Sequence, residues 1–261
     1  MSVFRVRGEA SALAVALDVV LFRCTVLGVV EGDGEFTVSI AEAALPELSS
    51  VLATAIPDEP RAAHLTGLEG DRTIVLAQDL VVRPPWVAAQ SGFRGIELVV
   101  PRAMAFGSGE HASTQCALLV MHATWMSTCR STCDVGTGSG ILLAYAQARG
   151  CSTLAGCDVE AESVAAASEL MQGAKIVLGG PDRLLAHAQA EAGFDCVVAN
   201  MAIFELVPVL HDILALWNRR GVLVIAGTRG NDEAAVIAGR VRSRILARAE
   251  RQGFVAQAFV S

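Results

Sequence analysis

The sequence lacks several features that would place it in common functional classes. Its seven cysteines include no C-x-x-C pair, and five histidines add little, so neither a zinc site nor any other metal site is expected. An odd number of scattered cysteines also argues against a disulfide framework and favours a reducing, cytoplasmic compartment. The net charge of −7 argues against direct nucleic-acid binding, which would require a basic face.

Membrane insertion is not expected either. No charge-free apolar stretch reaches the length of a membrane span, and Glu9 and Asp18 interrupt the N-terminal apolar run that a signal peptide would need. What the sequence does have is 53% hydrophobic and only 18% charged residues, which is ample for a large core. At 261 residues, we expect a folded, soluble protein of one large or two modest domains.

The most informative stretch is TCDVGTGSGILL, residues 132–143, which reads as the end of a buried strand, a glycine turn and the start of a helix. Gly136, Gly138 and Gly140 permit positive φ angles and leave room for a ligand against the backbone. The free N–H groups of the following helix then point at that ligand. In open α/β sheets, such a turn after the first parallel strand is where nucleotides bind.

The spacing of the glycines distinguishes between nucleotides. A dinucleotide fingerprint, G-x-G-x-x-G, would need a glycine where Ile141 stands, which disfavours an NAD-dependent dehydrogenase. The pattern is D-x-G-x-G-x-G, and the opening Asp134 suits a cofactor with an ammonium group and no pyrophosphate. Asp158 closes the next predicted strand 24 residues later, where its carboxylate can accept hydrogen bonds from both ribose hydroxyls.

Together these features resemble the class I S-adenosylmethionine-dependent methyltransferases. The resemblance implies an α/β fold with a Rossmann-like doubly wound sheet, and S-adenosylmethionine as the cofactor. A glycine turn that binds no ligand is the alternative reading of the motif.

The N-terminal part, residues 1–95, is predicted to be a small α+β domain with a linker. Its pattern is β-α-β-β-α, with a strand at 3–7, a helix at 11–22, a hairpin within 24–42 and a helix at 47–55. A further strand, 73–82, leads to two prolines and then to Gly92 and Gly95, which we interpret as a hinge. The domain boundary is therefore predicted near residue 95.

Residues 96–261 show the strand–helix alternation that is typical of a parallel sheet. The predicted strands are 131–135, 153–159, 174–178, 194–199, 221–226 and 254–260. The chain ends early for the pair of terminal strands that such domains carry. An arginine-rich stretch, 240–251, is predicted to be a helix with a solvated face rather than a nucleic-acid site.

Two further segments sharpen the resemblance. The segment FGSGEHAST, residues 106–114, is similar to F-G-T-G-T-H-P-T-T in the ribosomal protein methyltransferase family known as PrmA. Asn200-Met201 stands where that family has an Asn-Ile pair at the end of the fourth strand. The resemblance covers roughly residues 73–230 and departs from the family pattern at Glu110, Ala112 and Met201. It is more specific for the cofactor pocket than for the substrate.

The resemblance implies that the enzyme methylates lysine or N-terminal amino groups of a protein, with residues 1–95 recruiting the substrate. Asn200 would orient the acceptor amine through its side-chain oxygen, and Phe106 with Gly107 would form a flap over the cofactor. The implied cofactor pocket consists of Phe106, Gly107, Thr114, Asp134, Gly136, Gly138, Gly140, Asp158, Val159 and Asn200.

Several readings stay open at this point. The acceptor could be a ribosomal protein, another protein or a small molecule, and a non-catalytic relative that only binds the cofactor is a further alternative. Glu110 and Glu205 could steer a cationic substrate or could be solvated surface acids. Taken alone, His111 is interpreted as a structural rather than a catalytic histidine.

Overall fold

The computed structural model describes residues 73–101, 107–185 and 193–261, and the backbone of four strands that precede them. The chain divides into two compact units, Met1–Arg72 and Thr73–Ser261. The described strands of the first unit are β1 (Ser2–Arg7), β2 (Val26–Gly32), β3 (Glu35–Ile40) and β4 (His64–Leu65). They form an antiparallel sheet in the order β2-β3-β1-β4, which contains the predicted hairpin. The helices predicted at 11–22 and 47–55 lie outside the described residues.

The second unit begins with a three-stranded sheet that corrects two predictions. Its strands are β5 (Ile74–Ala77), β6 (Leu80–Arg83) and β7 (Ile96–Val99), so a turn at Gln78 and Asp79 divides the single strand predicted at 73–82. β6 pairs in parallel with β7, and a boundary near residue 95 would therefore cut this sheet. Gly95 leads directly into β7 and packs against Asp79, since a Cβ there would lie 2.3 Å from the Asp79 carbonyl oxygen, which accepts a hydrogen bond from the N–H of Ile96 at 2.8 Å; the glycine is thus held by this sheet. The division after Arg72 replaces that boundary.

The main sheet of the second unit has seven strands. They are β8 (Ser131–Val135), β9 (Thr153–Asp158), β10 (Lys175–Leu178), β11 (Phe194–Asn200), β12 (Trp217–Arg229), β13 (Arg244–Arg251) and β14 (Phe254–Val260). Their order is β10-β9-β8-β11-β12-β14-β13, with β8 to β12 parallel and β14 antiparallel to both neighbours. The sheet is doubly wound, as predicted. The strand order reverses between β8 and β11, which creates a topological switch point at their carboxyl ends.

Helices cover both faces of this sheet. The described ones are α1 (Ala112–Thr124), α2 (Ile141–Ala148), α3 (Ala161–Leu170), α4 (Ile203–Leu216) and α5 (Gly230–Val241). Val198 and Val224 pack with α1 and α2, whereas their neighbours Val197 and Leu223 pack with α4. This division follows from the alternation of side chains along a strand. None of the described helices is both long and apolar enough for a membrane span.

The helix predicted for the arginine-rich segment 240–251 is wrong. α5 ends at Val241, Arg242 adopts a left-handed conformation with φ 54°, and residues 244–251 form the edge strand β13. Ala247 and Ala249 pack against the core, while the alternating Arg248 and Glu250 are exposed, as is common for charged residues on edge strands. The terminal strand pair is therefore present as β13 and β14.

Candidate active site

A cavity of about 720 Å³ lies at the carboxyl ends of β8, β9, β11 and β12. Its volume is within the range that is usual for small-molecule sites, and it stands at the switch point of the sheet. Half of the ten predicted cofactor residues line it, namely Gly136, Gly138, Asp158, Val159 and Asn200.

The glycine turn forms one wall of the cavity. Gly136, Gly138 and Gly140 have φ angles of 72°, 53° and 84°. A Cβ on Gly136 would lie 2.8 Å from the Cε atom of Met201. A side chain at this position would therefore fill the concave surface that the glycine turn presents to the cavity, called the cradle below. The turn is attached to β9, because the N–H groups of Gly136 and Thr137 both donate to the carbonyl oxygen of Cys157, at 2.9 and 3.0 Å.

Asp158 holds a fixed position at the end of β9. Its Oδ2 atom accepts a hydrogen bond from the N–H of Gly138 at 2.9 Å, and its Oδ1 atom accepts one from the N–H of Glu160 at 3.0 Å. Each carboxylate oxygen has a further lone pair to offer a ligand. The next residue, Val159, also lines the cavity, and 76% of it is exposed. The carboxylate suits a pair of ribose hydroxyls, and the exposed apolar surface beside it suits an aromatic ring attached to that ribose.

Asp134 lies beneath the glycine turn and does not line the cavity. Its Oδ2 atom accepts a hydrogen bond from Thr137 Oγ1 at 3.0 Å, and its Oδ1 atom has no hydrogen-bond partner among the described residues. Burial raises the pKa of Asp134 to about 8; the hydrogen bond from Thr137 opposes this shift and the negative charge of Asp158 adds to it. Direct contact between this acid and a cofactor ammonium group therefore stays a prediction.

Asn200 ends β11 at the switch point. Its Nδ2 atom donates to Thr114 Oγ1 at 3.2 Å, and this bond fixes the plane of the amide. The Oδ1 atom of Asn200 is buried and has no hydrogen-bond partner among the described residues. A buried acceptor is normally satisfied, so this oxygen is available to a donor on a ligand. Thr114, fully buried in the first turn of α1, holds Asn200 in place and does not itself line the cavity.

Two of the remaining predicted residues lie behind the turn. The carbonyl oxygen of Gly107 accepts a hydrogen bond from Ser139 Oγ at 2.8 Å, which ties the segment before α1 to the glycine turn. Gly140 precedes α2, and a Cβ there would lie 3.1 Å from Met171. Phe106 lies outside the described residues.

The cavity also contains residues that were not among the predicted site residues. His111 lines the cavity, and its Nδ1 atom accepts a hydrogen bond from the N–H of Ser113 at 3.3 Å at the start of α1. The His111 ring packs edge-on against Phe254, with centroids 4.6 Å apart, and the Arg229 guanidinium lies 5.0 Å from the Phe254 centroid. Burial, and then the positive charge of Arg229, lower the pKa of His111. The grouping of His111, Arg229 and Phe254 could not be predicted from the sequence, because it depends on the strand register that brings Arg229 opposite Phe254.

Within residues 73–101, 107–185 and 193–261, no three His, Cys, Asp or Glu side chains are arranged to hold a metal ion.

Comparisons with known proteins agree on one family. Residues 73–252 match the family model described as "Ribosomal protein L11 methyltransferase (PrmA)". Curated proteins of that name include one from Lactobacillus johnsonii, 32% identical over 160 residues, which are 59% of this chain and 49% of the relative. Another, from Geobacter sulfurreducens, is 31% identical over 183 residues, which are 68% of this chain and 58% of the relative. The chain thus spans about half the length of the curated relatives it matches.

A solved structure supports the fold. The crystal structure of the ribosomal protein L11 methylase from Lactobacillus delbrueckii subsp. bulgaricus is 26% identical, with a TM-score of 0.60. The match covers 71% of this chain and 96% of that one. The predicted class I methyltransferase fold is confirmed.

Proposed function

Since the chain belongs to the ribosomal protein L11 methyltransferase (PrmA) family, we propose that it transfers methyl groups from S-adenosylmethionine to amino groups of a protein. The names of its relatives make ribosomal protein L11 the first acceptor to test, and a cytoplasmic location is part of the same proposal. Residues 1–72, the first compact unit, are proposed to recruit the acceptor. The observation that carries the proposal is the buried Oδ1 atom of Asn200 in the same cavity as the glycine turn, which has no hydrogen-bond partner among the described residues.

The residues of the cavity fit this cofactor. The backbone at Gly136 and Gly138 would hold its amino acid portion, and Asp158 would accept hydrogen bonds from its ribose, with Val159 against the adenine. The cradle at Gly136, which a Cβ would fill, supports this assignment. S-adenosylmethionine supplies a methyl group on a sulfonium, which is an already activated leaving group.

The chain itself has to present the acceptor amine in a reactive state. A free lysine has a pKa of about 10.4, and desolvation in a cavity lowers that value and favours the neutral nucleophile. Asn200 Oδ1 would accept a hydrogen bond from the amine and so orient its lone pair. Because an amide is neutral, it stabilises the ammonium form less than a carboxylate would. The Thr114 hydroxyl keeps Asn200 in this orientation.

The variant Asn200→Ala tests the catalytic role. Losing one positioning contact in a buried site should lower turnover about 10²-fold, whereas cofactor affinity should change little, because the glycine turn and Asp158 remain. Asn200→Asp should also be impaired and recover partly at high pH, since its charge would hold the amine protonated. Asn231→Ala is the control, because Asn231 contacts Arg248 outside the cavity. Unchanged turnover of Asn200→Ala at saturating cofactor would exclude the role.

The activity itself is tested with radiolabelled S-adenosylmethionine and a bacterial extract. Label in a ribosomal protein, followed by transfer to that protein in purified form, is the expected result. Label only in the small-molecule fraction would contradict a protein acceptor. Cofactor binding without any transfer would instead identify a non-catalytic relative.

A further inference from the structure

Arg229 lies at the carboxyl end of β12, one strand beyond Asn200. The register pairs Asn200 with Ala226 on β12, and Arg229 three residues later with Phe254 on β14. Both Asn200 and Arg229 line the cavity. The guanidinium is stacked on the Phe254 ring at 5.0 Å, so the aromatic ring supports the side chain without using its N–H donors.

No described carboxylate forms an ion pair with this guanidinium. It also forms no side-chain hydrogen bond within the part of the chain that the structure describes. Carboxylates are nevertheless present in the cavity wall, and each already accepts a hydrogen bond from its own segment. These are Asp158, from the N–H of Gly138; Glu160, from Ser163; Glu205, from the N–H of Ala202; and Glu233, from the N–H of Arg229.

The position of Arg229 assigns it to the acceptor side of the cavity. Asp158, the candidate ribose ligand, ends β9, which is three strand positions from β12. Neighbouring strands are about 4.8 Å apart, so the two strand ends are separated by roughly 14 Å. Asn200 lies between them, and Arg229 is thus on the far side of Asn200 from the ribose end. Its charge acts inside the cavity, because it contributes to the lowered pKa of His111.

We propose that Arg229 binds a carboxylate and thereby selects polypeptide acceptors in which an acidic side chain stands next to the methylated amine. The proposal rests on the proposed methyl transfer. A planar guanidinium matches a carboxylate with two parallel hydrogen bonds. With Asn200 orienting the amine, a carboxylate beside that amine would face Arg229 in the same cavity wall. The cofactor carries a carboxylate too, and the experiment has to separate the two sources.

The test uses two short peptides with a single lysine, followed in one by aspartate and in the other by asparagine. Their dissociation constants are measured by calorimetry with enzyme loaded with S-adenosylhomocysteine. We expect the wild type to bind the aspartate peptide about tenfold more tightly, as for one charge-assisted contact. Arg229→Met, which keeps the stem on Phe254 and removes the charge, should lose this preference. Arg229→Lys should keep part of it.

Arg219→Met is the matched control. Arg219 lies on the same strand outside the cavity, and its guanidinium stacks on Trp217 at 4.7 Å, so the variant removes an equivalent charge and aromatic contact. It should retain the full preference for the aspartate peptide. A loss of preference in both methionine variants would indicate a general charge effect and overturn the assignment.

Two results would refute acceptor selection by Arg229. One is equal affinity of the wild type for the two peptides. The other is an Arg229→Met variant that binds S-adenosylhomocysteine much more weakly but keeps the peptide preference, which would assign the guanidinium to the cofactor's carboxylate. Because the readout is binding, it is independent of turnover: a peptide preference in an enzyme that transfers no methyl group would refute the proposed function and leave the carboxylate site standing.

Discussion

Replacing Asp134 by asparagine tests the ionisation of the carboxyl group beneath the glycine turn. The residue is fully buried, and one of its oxygens has no hydrogen-bond partner among the described residues. Burial is the main reason that its pKa rises from 3.8 to about 8. At neutral pH the folded protein therefore holds Asp134 mainly in its protonated form, whereas the unfolded chain carries a carboxylate.

The sign and size of the effect follow from this difference. Between about pH 4 and pH 8 the folded state binds a proton that the unfolded state has released, so this residue makes folding less favourable as the pH rises. A difference of about 4 in pKa, at about 1.4 kcal/mol for each unit, amounts to roughly 6 kcal/mol above pH 8. Asparagine has nearly the same shape and stays neutral. Asp134→Asn should therefore be more stable than the wild type, by an amount that grows with pH across this window.

Urea unfolding, followed by circular dichroism across this pH range, measures the effect. Asp195→Asn is a control of opposite sign. Burial alone would raise the pKa of Asp195, but hydrogen bonds from the N–H groups of Arg130 and Ser131 and from Asn218 outweigh it and lower the pKa. The contribution of Asp195 is thus present above its unfolded pKa and lost as the pH falls, so Asp195→Asn should be destabilised at neutral pH. A stability gain in Asp134→Asn that does not vary with pH, or a loss at pH 8, would refute the reasoning.

The remaining predictions concern the cofactor and the two units. Asp158→Ala should bind S-adenosylhomocysteine about 10- to 100-fold more weakly, because charge-assisted hydrogen bonds are lost; an unchanged dissociation constant in a folded variant would contradict the ribose assignment. A fragment of residues 73–261 should fold and bind the cofactor but lose most methylation of the protein acceptor, whereas 96–261 should be less stable, because it removes β6 from β7. Full turnover by the 73–261 fragment would exclude a recruiting role for the first unit.

The central parallel strands β8, β9, β11 and β12 could be predicted because they are largely buried and therefore appear as apolar runs. β8 and β14 have the predicted bounds. The edge strand β13 could not be predicted in the same way. It partly buries Ala247 and Ala249 and exposes most of its charged residues, and this composition is equally compatible with a solvated helix. The turn inside residues 73–82 was missed because Gln78 and Asp79 interrupt the apolar run only briefly.

The residues proposed to hold the cofactor could be brought together by prediction because they are local in sequence. A strand, a turn and a helix fix Gly136 and Gly138, and the end of the next strand fixes Asp158. Spacing could not distinguish residues that line the cavity from those that support it. Asp134 and Thr114 belong to the same motifs, yet both are fully buried and hold other groups in place.

The residues proposed to face the acceptor come from segments that are far apart in the sequence, and this explains why sequence patterns did not reveal them. His111 comes from the start of α1, Arg229 from the end of β12 and Phe254 from the start of β14, which returns antiparallel beside β12. No fixed spacing links these three positions. None of them supports the glycine turn or Asp158 through a hydrogen bond described in the structure. The proposal for Arg229 therefore predicts that a substitution there changes which acceptor is recognised and leaves the residues proposed to hold the cofactor in place.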